Sequence, residues 1–319
     1  MKHRTMLQMS ILVALGLGVL FSLVAFDHPG RQDTELLEVS VIIREADSTG
    51  WSAARQGMEQ AAADLGAELR FLTLSQSNSA EEQRSLLARE VEGGADAVVL
   101  VPADPAALAD AVKAAASHAA VVTMESDMAD SGAKACISVD NAALGQALGL
   151  AALNGVPEGG EAVLVDSAPG SAGVSRRLTE AARVLEEAGR SVYLCTLSGG
   201  RSLAETLNAT LQARRPDAVV AFEPSALEQA ARLAQGQEKP PLVYGTGATS
   251  TIASHLERSS ITLSAAQNEF AAGYLAVEAA VRSARGQDQA AIAPLAFSLI
   301  RQENMYDPDN QKLLFPVTR

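Results

Sequence analysis

The stretch EADSTGWSAARQGMEQAAADLGAELRFL, from Glu45 to Leu72, holds the chain's only tryptophan, Trp51, in a loop of small and polar residues that then turns helical. A soluble protein gains least by placing its largest apolar side chain at the mouth of a loop, so Trp51 calls for a partner. Asp47 and Ser48, in the same loop, add groups that can hydrogen-bond to a ligand or simply to water. Other chemistry is hard to assemble. No serine stands in a G-x-S-x-G turn, and no His–Glu zinc motif occurs. His3, His28, His118 and His255 are scattered, and Cys136 and Cys195 lack metal-ligand spacing. Both cysteines lie in apolar, strand-like surroundings and are read as buried thiols, although export would permit a disulfide. GTGATS (245–250) follows a strand, but it lacks the third glycine and the distal acid of a dinucleotide loop, so it is read as a tight strand-to-helix turn. No catalytic constellation, cofactor site or metal site is legible, and the chain is expected not to be an enzyme.

The elements that must position such residues follow one rhythm. Short apolar runs at 37–43, 68–74, 96–101, 119–124, 135–139, 161–166, 191–197, 217–222, 241–245 and 261–266 read as strands. Helical patterns at 52–65, 80–92, 105–117, 141–153, 173–188, 202–214, 225–235, 248–256 and 268–285 alternate with them. This alternation predicts an α/β chain with parallel sheets covered on both faces, and the length favours two domains. DLGAEL and EAGRSV place a glycine after a helix as a C-cap should, and Asn78 and Asp104 are read as N-caps.

Lys2, His3 and Arg4 precede an uncharged run from Thr5 to Phe26. As a helix that run would span roughly 33 Å, close to the hydrocarbon thickness of a bilayer. It is longer than a typical signal-peptide apolar region and lacks a clear cleavage site. An uncleaved N-terminal transmembrane anchor is therefore favoured over a long signal peptide, with everything after about Arg31 outside the cytoplasm. Residues 1–35 carry no net charge, so the whole excess of −13 lies in residues 36–319. An acidic body repels phosphate, and a nucleic-acid partner is not expected.

SVIIREADSTGWSAARQGMEQAAADLGAEL, with Gly57 and Gly66, resembles the opening of type I periplasmic binding proteins of the ribose- and galactose-binding group. EGGADAVVLVPADPAAL, SVDNAALGQALG with Asp140, Asn141 and Gly145, PDAVVAFEPSALEQA and LSAAQNEFAAGYLAVEAA are similar, in order and spacing, to that family's later strand–helix joints. The resemblance covers about residues 38–300. The same lobes form the effector domains of lac-repressor-type regulators, but those begin with a helix-turn-helix where this chain has an apolar run.

The resemblance implies two doubly wound lobes joined by three crossovers, with one ligand in the cleft. Lobe one would be 36–139 plus 268–293 and lobe two 140–267. Residues 294–319 would supply a returning hinge strand and a tail, and 1–35 the anchor and linker. By the same resemblance Trp51 stacks on a sugar ring, the alternative being a side chain that packs on lobe one at the start of the first helix; Ser48, in the same loop, is placed either to reach that ligand or to meet water. Glu125 holds ring hydroxyls, with Ser126 where the family often has arginine. Arg176 and Gln267 match a family arginine and glutamine. Glu223 stands where Asn or Asp is common, and Gly247 where the family has a ligand-binding Asp. The expected function is an extracytoplasmic solute-binding protein for a sugar, polyol or amino sugar, presented to a membrane permease or a sensor kinase. The alternative is a membrane-anchored sensory or adaptor protein with an altered pocket.

Overall fold

Burial on both faces selects the strands, and the alanine-rich helices between them supply the cover. The computed structural model describes residues 36–197, 201–287 and 292–315. Five strands form the first sheet: β1 (Leu37–Ile42), β2 (Ala67–Leu72), β3 (Ala97–Leu100), β4 (Ala120–Met124) and β5 (Ala135–Ile137). Six form the second: β6 (Glu161–Asp166), β7 (Ser191–Thr196), β8 (Ala218–Ala221), β9 (Leu242–Thr246), β10 (Leu263–Gln267) and β11 (Phe297–Ile300). The helices are α1 (Ser52–Leu65), α2 (Ala80–Glu92), α3 (Pro105–Ala115), α4 (Asn141–Leu153), α5 (Ala172–Glu187), α6 (Leu203–Arg214), α7 (Pro224–Ala234), α8 (Ser250–Glu257), α9 (Glu269–Ala284) and α10 (Pro308–Leu314).

The strand orders are β2-β1-β3-β4-β5 and β11-β10-β9-β8-β6-β7. All described pairings between these strands are parallel except β10 with β11. Strand order reverses between β1 and β3 in one sheet and between β6 and β8 in the other. In open α/β sheets a ligand lies beyond the strand tips at such points.

Each sheet is a filled sandwich. Val39, Val41 and Ile43 meet Met58 of α1 and Ala276 of α9, while Ile42 and Leu100 meet Leu87 of α2 and Leu108 of α3. In the second lobe Val163 and Val219 meet Leu207 of α6 and Leu227 of α7, while Leu164 and Val220 meet Leu148 of α4 and Leu185 of α5. Thus α9 leaves the second sheet to pack on the first lobe, and β11 returns to the second. The chain passes three times between lobes, and Leu295 N donates to Ser138 O at 2.9 Å where two of these passages touch. Beyond β11, Met305 and Leu314 sit in the second lobe's core, so the C-terminal segment packs there.

Two helix pairs approach closely enough to require glycine. A Cβ on Gly57 would stand 1.9 Å from the Phe270 carbonyl oxygen of α9, and one on Gly145 would stand 2.2 Å from the Arg177 carbonyl oxygen of α5. Gly57→Ala must push α1 off α9 and is expected to cost about 3 kcal/mol in urea unfolding. A loss under about 1 kcal/mol would mean the pair adapts freely.

Some expectations need correction. Asp104 caps α3, accepting from Ala107 N at 3.0 Å, but the cap of α2 is Ser79, not Asn78. A cap residue needs extended backbone, and Asn78 is left-handed at φ 62°. Cys195 is buried, whereas Cys136 is only partly so; the thiols are unpaired, on strands of different sheets. Among the described residues no helix is long and apolar enough to cross a membrane. The expected anchor, 1–35, lies outside the described residues.

Candidate functional site

The strand tips of the two lobes meet at Arg44. This residue follows β1 and is 2 % exposed. Its Nη2 lies 2.8 Å from Glu125 Oε2, beyond β4 of the same lobe. Its Nη1 lies 3.2 Å from Glu45 Oε1 and 2.5 Å from Glu223 Oε1, and Glu223 follows β8 of the other lobe. One guanidinium thus ties three carboxylates across the cleft. A planar group with five donors suits such shared pairing.

Other bonds join the lobes around this centre. Asn78 Nδ2 donates to the carbonyl of Ser167, and Ser167 Oγ bonds Glu223. Ser126 Oγ accepts from Gly173 N in the first turn of α5, at 3.0 Å. Asn141 Nδ2 donates to the Glu125 carbonyl at 2.9 Å. Glu125 itself is held at φ 64°, a left-handed conformation that a non-glycine residue adopts only where its surroundings enforce it.

The electrostatics follow from depth. Burial works against ionised Glu125, but Arg44 and Arg177 prevail and hold its carboxyl below the usual range. Arg44 is shifted the other way: burial would lower its pKa, but Glu223, Glu125 and Glu45 together hold it well above the ordinary value. Burial pushes Glu45 up to about 7 despite Arg44, and pushes Glu269 up to about 7 despite a hydrogen bond from Gln267. Yet the Glu45 and Glu125 side chains keep 22 % and 20 % of their surface open. Open surface on groups so strongly desolvated is what side chains lining an enclosed space have.

The sequence-derived residues divide. Glu125, Ser126 and Glu223 lie at the junction. Trp51 sits at its edge: it packs against the first lobe's core, and its Nε1 donates to Glu45 Oε2 at 3.1 Å. Gln267, at the tip of β10, donates from Nε2 to Glu269 Oε1 at 3.1 Å, while its Oε1 is buried with no donor. Ser48 is partly buried and precedes the turn Thr49–Trp51, its carbonyl accepting from Trp51 N at 2.9 Å. Arg176 is not among them: it lies on the outer face of α5, 59 % exposed, paired with Glu180 at 3.2 Å. The inward arginine is its neighbour Arg177, 6 % exposed, donating to Asn141 Oδ1 at 2.6 Å and to the Phe222 carbonyl at 3.1 Å. Gly247 has φ 136°, and a Cβ there would stand 2.5 Å from Ile252 Cδ1 and 3.0 Å from Pro224 Cβ, so no carboxylate fits. Arg44, Glu45, Arg177 and Glu269 are the residues that sequence reasoning passed over. Among the described residues no acidic, histidine or cysteine cluster is arranged to hold a metal ion.

Comparison with known proteins agrees with this fold. Residues 39–288 match a family described as a periplasmic binding protein domain. A glucose-galactose binding protein from Geobacillus stearothermophilus superposes with a TM-score of 0.75 at 18 % identity, covering 86 % of this chain and 100 % of that one. A carbohydrate transporter solute binding protein from Agrobacterium radiobacter, in complex with D-arabinose, gives 0.78 at 19 %, covering 88 % and 100 %. A chain of the XylFII–LytSN complex gives 0.75 at 17 %, covering 84 % and 98 %. No match was found among curated proteins.

Proposed function

Because the chain belongs to the periplasmic binding protein domain family, which spans residues 39–288, we propose that it is an extracytoplasmic solute-binding protein that closes its two lobes around one small polar ligand. The observation that carries this reading is the Arg44 junction, where charged groups from the tips of β1, β4 and β8 converge at the strand-order reversals of both sheets. Groups that pair across a cleft stabilise closure, and a ligand that satisfies their remaining hydrogen bonds shifts the lobes further towards it. The family is one of binding domains rather than enzymes, which fits a chain without a catalytic constellation.

The moving parts in this reading are lobe one with α9 and lobe two with β11. Trp51, Ser48, Glu125, Ser126, Glu223 and Gln267 serve the ligand, and Arg177 takes the place expected of Arg176. Solved neighbours include a transporter component bound to D-arabinose and a chain in the XylFII–LytSN complex. Presentation to a permease or to a sensor is therefore proposed on equal terms, with an N-terminal anchor confining the protein to the membrane. A second reading, an adaptor that closes without ligand, has one observation in its favour: Arg44 already bridges the lobes with the protein's own charge.

A thermal-shift screen over sugars, polyols and amines separates the two. A solute-binding protein gains melting temperature with ligand concentration, by about 2.7 kcal/mol of stability at a hundredfold excess over Kd. No shift across the set supports the adaptor.

A further inference from the structure

The cleft holds more acid than its own cations answer. Among the described residues Glu45, Glu125, Glu223 and Glu269, with Asp166 at the tip of β6 coupled to Glu223, face only Arg44 and Arg177. Arg44 serves the first three. Arg177 is engaged by Asn141 and the Phe222 carbonyl. Glu269 forms no ion pair among the described residues and meets the Gln267 amide instead. Buried atoms without partners beside this surplus include the acceptors Oε1 of Gln267 and Oδ1 of Asp166 and the donor Nε of Arg44. Turning the Gln267 amide over would set its oxygen against the Glu269 carboxylate, so the excess of acceptors remains.

We propose that the solute is a hydroxylated cation, an amine-bearing sugar or polyol, whose ammonium group is held by Glu269 and Gln267 Oε1 and whose hydroxyl oxygen accepts from Arg44 Nε. This rests on the solute-binding reading. An ammonium brings three donors and the missing charge, whereas a neutral hydroxyl satisfies one acceptor and leaves the carboxylate unpaired. An anionic solute would add to the surplus and is disfavoured.

The charged groups facing Glu269 are Glu125 from the tip of β4 and Arg177 from α5; those facing Glu45 are Arg44, Glu125 and Glu223. Burial first, then the neighbouring acids, brings Glu45 and Glu269 up to about 7. A cation binds best when both are ionised, so its affinity rises between pH 6 and pH 8. For one carboxyl titrating near 7 the gain is about tenfold. An amino polyol suits the measurement, because its ammonium, like that of lysine, stays charged at pH 8.

The test is titration calorimetry of the full chain with glucamine and sorbitol, and with galactosamine, galactose and galacturonate, at pH 6 and pH 8. The expected result is an amine preferred at least tenfold over its neutral counterpart at pH 8, with that preference shrinking at pH 6. In Glu269→Gln, glucamine affinity falls about tenfold and its pH dependence weakens. Neutral members binding as well as the amines, with no pH effect, would overturn the cation while leaving the solute-binding reading intact. No binding by any member would overturn both. Should the variant fold poorly, the pH arm on the unaltered protein decides alone.

Discussion

Arg44→Met is expected to destabilise the protein by about 3–5 kcal/mol at pH 8, because it leaves three carboxylates uncompensated in the cleft. The size follows from what is removed. The side chain is 2 % exposed and is the ion-pair partner of Glu45, Glu125 and Glu223 at once. The loss should also depend on pH. In the unaltered protein Glu125 is held below the usual range, so it contributes stability above pH 4.5 that fades as acid protonates it. Without Arg44, burial prevails and the Glu125 carboxyl moves up, so the variant loses stability as pH rises. The gap between the two proteins is therefore widest at pH 8 and narrows towards pH 4. Adding Glu45→Gln, Glu125→Gln and Glu223→Gln to the variant should restore much of the loss, since none of the three stranded charges then remains. Urea unfolding across that range measures it, and a gap that is small or constant with pH would contradict the assignment.

The ligand-free protein is expected to be more stable near pH 5 than at pH 8. Glu45 and Glu269 both stand near 7 when folded, raised chiefly by burial. A carboxyl raised on folding favours the native state below its unfolded value of about 4.5, and this advantage disappears as pH rises through 7. A rise of that size corresponds to about 3 kcal/mol per group, a ceiling because the groups share neighbours. Below pH 4.5 the sign reverses, as protonation of Glu125 removes its pairing with Arg44. Stability plotted against pH should then peak near 5. A flat curve from pH 5 to 8 would mean that neither carboxyl is raised.

Which parts of this were legible in the sequence is a matter of range. Every strand run and helix pattern finds its element, because periodicity and caps are local. Residues of the candidate site were legible where a polar residue ends or closely follows a strand, as with Glu125, Glu223 and Gln267. Arg176 and Arg177 lie about 100° apart around a helix, and proximity to the strand cannot choose between them. The stripe could have: Arg177 falls in register with Val174, Ala181 and Val184, the buried face of α5. Arg44 was harder. A buried arginine needs partners, and these lie beyond β4 and in the other lobe, distant in sequence. Glu269 was concealed because an acid in the first turn of a helix is ordinary dipole compensation, and only the fold shows it buried beside Gln267 and coupled to Glu125.

The central claim is that one solute is held by both lobes at the meeting of their strand tips. Trp51, the only tryptophan, reports from lobe one through its contact with Glu45, and Glu223 stands on lobe two. Titration of the protein and of Glu223→Gln with glucamine, galactosamine and galactose, followed by tryptophan emission, tests this most directly. The account predicts a saturable, one-to-one change for at least one solute, weakened tenfold or more by the substitution in the opposite lobe. Emission that never saturates, or binding indifferent to Glu223→Gln, would contradict it.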